Sequence, residues 1–205
     1  YTNEIAENNQ RLGDLDFIQA KFFFAREIGA NRPILAKESE RINLKEARHP
    51  LIDRKLVVAN DIHFNEDYNM IVITGPNTGG KTITLKTVGL LQLMAQSGLY
   101  ITAKVDSRVE IFNEIFADIG DEQSIEQSLS TFSGHMTNII RIVKEADDHS
   151  LVLIDELGSG TDPQEGAAIA IAVLNRFAFL NARVIATTHY PELKTFAYEH
   201  PGAIN

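Results

Sequence analysis

Residues 70–82 read M-I-V-I-T-G-P-N-T-G-G-K-T, an apolar run that ends in G-x-x-x-x-G-K-T. Ile71, Val72 and Ile73 have the β-branched character of a buried parallel strand. Gly75, Gly79 and Gly80 let the backbone turn tightly and bring several N–H groups onto one point, with Pro76, Asn77 and Thr78 completing the loop. Lys81 supplies a point charge for the outer phosphates of a nucleotide, and the Thr82 hydroxyl is placed to ligate Mg²⁺. Beyond the loop, Ile83, Leu85, Val88, Leu91, Leu93 and Met94 recur at helical spacing until Ser97 and Gly98 stop the pattern. The start of that helix adds a partial positive charge. A glycine-rich turn that held Lys and Thr by accident would not have a strand before it and a helix after it. The stretch is read as a site for a nucleoside triphosphate.

The second half of such a site is an acid at the end of another buried strand. Residues 151–156, L-V-L-I-D-E, supply it. Asp155 can hold Mg²⁺ directly or through water. Glu156 is placed to polarise a water against the γ-phosphate, which is general-base work and favours hydrolysis over storage of the nucleotide. Strands often end in exposed acids, so this pair gains its meaning from the phosphate loop upstream. Residues 183–188, R-V-I-A-T-T, form a further strand that leads into His189, within reach of the γ-phosphate. A lone His is more often structural; here the context favours a sensor.

Residues 128–136, S-L-S-T-F-S-G-H-M, are expected to lie immediately before a helix marked by Met136, Ile139, Ile140 and Val143. Hydroxyls and glycine at a helix start make a second anion-binding surface, with Ser130, Thr131 and Gly134 as its donors. The spacing resembles the signature loop of ABC-type ATPases, which reads the γ-phosphate in the opposite subunit. Another helix is announced by Asp162 as cap, Pro163 in the first turn and Glu165 as closer of a capping box.

Alternating strands and helices, with chemistry at the strand ends, describe an α/β fold of the P-loop NTPase kind. Its mostly parallel sheet has helices on both faces. An antiparallel flank is expected from Val57-Val58 and Ile62-His63-Phe64, and a strand from the β-rich residues 109–119. Residues 1–35 read as a separate helical piece and 36–205 as the nucleotide-binding domain, with G-A-I-N at its end opening a further strand. Ile5, Leu12, Leu15, Ile18, Phe22 and Ala25 fall on one stripe of the first helix, which is either an ordinary packed helix or the root of a longer arm.

Bulk properties set the class. The chain has 205 residues, no cysteine and a net charge of −9. A disulfide framework is excluded, no apolar run is long enough for a membrane span, and the N-terminus lacks a basic signal start. A soluble, cytoplasmic enzyme without a membrane partner is expected. Clustered Lys and Arg of the kind that grips phosphate backbones are missing, so the fragment alone is expected to bind DNA or RNA weakly.

Taken together, G-P-N-T-G-G-K-T, S-T-F at 130–132, D-E-L-G-S-G-T-D and A-T-T-H-Y resemble the ATPase domain of the MutS family, from about Arg48-His49-Pro50 onward. Thr78, Ser133-Gly134-His135 and Ser159 depart from the mismatch-repair branch, which has Met, M-V-E and Arg there. They are similar instead to the second bacterial branch, which lacks a mismatch-reading domain. That resemblance implies a Mg²⁺-dependent ATPase working as a homodimer, suppression of homologous recombination, and action on branched DNA or on collided ribosomes and their rRNA. It also implies a Smr nuclease domain beyond this chain, and a helical arm in residues 1–30. Val57 and Val58 stand where mismatch-repair members stack adenine on an aromatic ring, so the base is expected to be held by apolar contact alone with weaker selectivity, and adenine preference is what the resemblance implies. The alternatives are a nucleotide-gated dimerisation module with negligible turnover, or the ATPase head of a mismatch-repair, ABC or coiled-coil DNA-repair protein. The ABC identity is disfavoured by the lack of L-S-G-G-Q.

Overall fold

A computed structural model describes residues 2–76, 79–120 and 128–205, with the backbone alone for residues 2 and 128–131. In chain order it contains α1 (Thr2–Ile28), β1 (Ile34–Leu35), β2 (Asn43–Ala47), β3 (Asn60–His63) and β4 (Met70–Thr74). Next come α2 (Lys81–Gln96), β5 (Arg108–Val109), β6 (Glu114–Asp118), α3 (Ser128–Glu145) and β7 (Ser150–Ile154). The chain closes with α4 (Pro163–Leu180), β8 (Arg183–Thr188), α5 (Pro191–Glu199) and β9 (Ala203–Ile204).

Five strands form an all-parallel sheet in the order β6-β7-β8-β4-β9. Its central strands β7 and β8 are buried along their whole length, which is why they read as unbroken apolar runs rather than alternating ones. On one face Val72, Val152, Ile154 and Val184 pack against Ile139 and Ile142 of α3, Leu174 and Phe177 of α4, and Leu193 of α5. On the other face Leu151, Leu153 and Ile185 meet Leu85, Val88 and Leu91 of α2. Those same α2 residues share a core with Ile42, Leu44, Ile62 and Phe64 of a second sheet, ordered β1-β5-β2-β3. The helix after the phosphate loop is thus clamped between two sheets. Leu85, Val88 and Leu91 are fully buried, each worth about 1.5–3 kcal/mol of apolar burial.

The parallel register aligns the strand ends. Asp118 lies opposite Ile154, Ile154 opposite Ala186, and Thr74 opposite Thr188. Whatever follows β6, β7, β8 and β4 therefore converges on one rim. The fold class read from sequence is the one observed, and helices cover both faces of the parallel sheet.

Two local readings are corrected. Val57 and Val58 are not a strand; β3 begins at Asn60. The Asp53 side chain accepts from Lys55 N at 2.8 Å, and its carbonyl accepts from Leu56 N and Val57 N at 2.9 Å, winding residues 53–57 into a turn. Residues 109–119 are not one strand, because β5 and β6 belong to different sheets. Between them the side chains of α2 replace a strand partner. Gln96 donates to the Phe112 carbonyl and accepts from its N–H, both at 3.0 Å, while Gln92 donates to the Glu110 carbonyl. The first helix is present as read, in α1. Along it Ile5, Leu12, Leu15, Ile18 and Phe22 are exposed, and of the expected stripe only Ala25 is buried. At its end Gly29 takes φ 62°, and a Cβ there would collide with the Arg54 guanidinium. Among the described residues no helix is long and apolar enough to cross a membrane.

Candidate functional site

The phosphate loop joins β4 to α2. Gly75 (φ 141°) and Gly80 (φ 75°) both adopt backbone that favours glycine. Asn77 and Thr78 lie outside the described residues. Gly80 caps α2 without a side-chain acceptor, leaving N–H groups of the first turn for a ligand. The Thr84 N–H and hydroxyl both donate to the Gly80 carbonyl, at 2.9 and 3.0 Å, and fix the turn. Lys81 is buried and its Nζ donates to the Gly75 carbonyl, so the ammonium arches back over the loop it serves.

At the end of β7, Asp155 is buried and its carboxylate is held by two hydroxyls. Thr82 donates to Oδ2 at 2.7 Å, and Thr187 donates to Oδ1. The two sequence-designated metal ligands therefore touch. With its proton directed to Asp155, the Thr82 hydroxyl keeps its lone pairs for a hard cation. Among the described residues no group of three or more His, Cys, Asp or Glu converges as a metal cage. A Thr–Asp oxygen pair with phosphates and water to complete the shell is the donor set that suits Mg²⁺.

Glu156 has φ 51°, a left-handed conformation uncommon for a residue with a side chain. Such backbone costs about 1–3 kcal/mol and marks functional turns. It is held by the Glu156 N–H donating to the Thr187 hydroxyl at 2.8 Å and by Leu157 N donating to the Thr187 carbonyl at 2.9 Å. Its carboxylate lies 3.2 Å from His189 Nε2. General base and sensor, assigned separately from sequence, are thus in contact with each other.

Beyond Glu156 the loop is tightly packed. A Cβ on Gly166 would lie 2.4 Å from the Gly158 carbonyl and 2.6 Å from the Tyr190 hydroxyl, which itself donates to the Gly158 carbonyl at 2.9 Å. Gly166→Ala is expected to destabilise the domain by about 1–3 kcal/mol through overpacking. A denaturant titration showing unchanged stability would refute that packing. The Asp162 cap is as read, accepting from Gln164 N and Glu165 N. Glu165 does not close a capping box; its carboxylate accepts from the Thr161 hydroxyl at 3.2 Å.

Helix α3 starts at Ser128, not after Gly134, so the segment read as a loop is already helical. The apolar face extends one turn further back: Phe132, Met136 and Ile139 line a small pocket with Leu157. Phe132 also packs on Gly160, where an added Cβ would stand 3.2 Å from the Phe132 Cβ. The side chains of Ser130 and Thr131 lie outside the described residues, and Gly134 sits in the second turn with open space beside it.

Sequence reasoning missed Asp118, His135 and Asn138. Asp118 is buried, accepts from His135 Nδ1 at 2.7 Å and from Asn138 Nδ2 at 2.8 Å, and its carbonyl accepts from Asp155 N at 2.9 Å. A signal existed: E-I-F-A-D at 114–118 has the same form, an apolar run closed by Asp, as L-V-L-I-D.

Beside the phosphate loop, Asn60 donates to Thr84 at 3.1 Å, tying the start of β3 to the first turn of α2. Leu51, Leu56 and Val58 are exposed nearby in sequence, a set of apolar side chains without a core to fill. His49 and Val57 line a cleft of about 480 Å³ that reaches Gly29 at the end of α1. Burial, then the charge of Lys86, pushes the His49 pKa below its ordinary value, so it is neutral near pH 7.

Residues 71–205 match MutS domain V. The chain belongs to the MutS family. Proteins named Endonuclease MutS2 are similar over nearly its whole length: that of Ligilactobacillus salivarius is 62% identical over 205 residues, covering 100% of this chain and 26% of that protein. The Latilactobacillus sakei protein is 61% identical over 203 residues, covering 99% of this chain and 26% of that protein. The Lactococcus lactis protein is 58% identical over 205 residues, again 100% and 26%. This MutS-family chain spans about a quarter of the length of these curated relatives.

Proposed function

We propose that this MutS-family chain binds and hydrolyses ATP with Mg²⁺, as the motor domain of a DNA-binding protein that works as a homodimer. The observation that carries the reading is the convergence of Lys81, Thr82, Asp155, Glu156 and His189 on one rim. Thr82 is bonded to Asp155 and Glu156 lies against His189. Gly75, Gly80 and the first turn of α2 offer N–H groups to the phosphates, Gly79 closes the loop by donating to the Pro76 carbonyl at 3.1 Å, and Lys81 offsets the phosphate charge. Mg²⁺, when bound by Thr82 and Asp155, would neutralise charge on the phosphate oxygens. Glu156 takes a proton from the attacking water, and His189, bonded to the same carboxylate, holds it in position and senses the γ-phosphate.

The Glu156–His189 contact favours hydrolysis over a dimerisation module that stores nucleotide. The relatives named Endonuclease MutS2 support a parent that acts on nucleic acid. Recombination suppression on branched DNA, ribosome rescue and Smr nuclease activity belong to the length outside this chain. The net charge of −9 fits DNA contacts made elsewhere in the protein.

Ser130 and Thr131, in the first turn of α3, complete the partner's site rather than their own, whereas Gly134 lies a turn further on, where the helix takes up its N–H. The test mixes Ser130→Ala with Lys81→Ala subunits, each inactive alone. Their heterodimer holds one intact site, made of the phosphate loop of the first chain and the signature of the second. Recovered ATP hydrolysis on mixing supports the composite arrangement. No recovery, with heterodimers shown to form, overturns it.

A further inference from the structure

We propose that His135 and Asp118 form a positioning pair that holds Asp155 and Glu156 in register for hydrolysis; this rests on the hydrolase reading above. Asp118 ends β6, the neighbour of β7, and its carboxylate is buried. Burying a carboxylate is costly unless its oxygens are matched by donors. Both donors come from α3: His135 Nδ1 at 2.7 Å to Oδ2, and Asn138 Nδ2 at 2.8 Å to Oδ1. The main chain of the same residue then reaches the site, because the Asp118 carbonyl accepts from Asp155 N at 2.9 Å. That bond is the last rung between β6 and β7 before the chain turns into Glu156.

His135 stands at the wall of the site. Its ring lies against Gly120, where an added Cβ would be 2.9 Å from Cε1, and it lines one small pocket with Asp155, Glu156 and Gly158. The side chain is partly exposed, at 26%, so its contribution to the core is small. What it supplies is a directed bond between the signature helix and the strand beside the metal-binding carboxylate. Displacing α3 moves Asp118, and through its main-chain hydrogen bond to Asp155 N it shifts Glu156, the next residue. Phe132 on Gly160 is the apolar counterpart of this polar link, holding the far side of the same loop.

The test is steady-state ATP hydrolysis by the full-length protein. His135→Ala is expected to lower kcat about 10- to 100-fold, the scale of a sub-ångström to ångström misplacement. KM for ATP is expected to stay within about twofold, since the phosphate loop is untouched. His135→Asn, whose amide can donate to Asp118 in place of Nδ1, is expected to restore most of the rate. Asp118→Ala should be as slow as His135→Ala, and the double variant no slower than either, because the two act as one unit. If Asp118→Ala does not fold, His135→Ala and its Asn rescue decide alone. Normal turnover in His135→Ala overturns the pair, as does a loss carried by KM or one that Asn fails to restore. Absence of turnover in the unaltered protein overturns the hydrolase reading and the inference with it.

Discussion

Lys81→Ala is expected to weaken ATP binding about 30- to 4000-fold while leaving the fold intact. The ammonium is buried beneath the loop and bonded to the Gly75 carbonyl, so it is already where the outer phosphates arrive. Truncating one partner of a buried, hydrogen-bonded charge pair costs about 2–5 kcal/mol. That is about 30- to 4000-fold in Kd. Because the side chain sits at the rim of the sheet, its loss should leave the core that clamps α2 between the two sheets unchanged. Titration calorimetry with ATP and Mg²⁺, paired with circular dichroism, reads both quantities. Unchanged affinity in a folded variant would show that Lys81 does not hold the phosphates.

Glu156→Gln has the second large effect, and on a different step. Glutamine keeps the shape and can still meet His189, but it cannot take a proton from water. A positioned general base contributes about 10²–10⁴-fold in rate, so kcat should fall by that factor. ATP affinity should change by no more than about twofold, because the phosphates are bound by other groups. Phosphate release measured beside calorimetry separates the two steps, and full turnover would disprove the assignment. The pair of variants is diagnostic in combination: one loses affinity, while the other binds and stalls.

Much of this site is legible in the amino-acid sequence. The β4–loop–α2 unit, the acids after β7 and the Asp162 cap are set by contacts within a few residues, so their signals are local. Val57-Val58 shows the limit of that approach. Its β-branched pair favours a strand, but Asp53 captures the preceding N–H groups, and no neighbouring strand is there to reward extension. Residues 109–119 misled for the complementary reason. Gln92 and Gln96 on α2 take the main-chain bonds of residues 110 and 112, a partnership that no pattern within the segment reveals. The early start of α3 is of the same kind, since Phe132 gains its apolar neighbours from the loop after β7. Asp118 and His135 remained hidden because their meaning lies in each other, 17 positions apart and on different elements.

The place of β4 between β8 and β9 has a consequence for how the chain is made. Thr74 and Val72 finish their bonding only with Asn205, 131 and 133 positions later. At a synthesis rate of about 5–20 residues per second, the nascent M-I-V-I-T segment waits roughly 7–26 s for that partner. Its other neighbour, β8, also emerges long after it. During that interval an apolar, β-prone strand has no native place to pair, and the nucleotide loop it carries has no rim to complete. Completion of the sheet therefore waits on strands from the end of the segment, and parallel pairing over such separations is intrinsically slow to form.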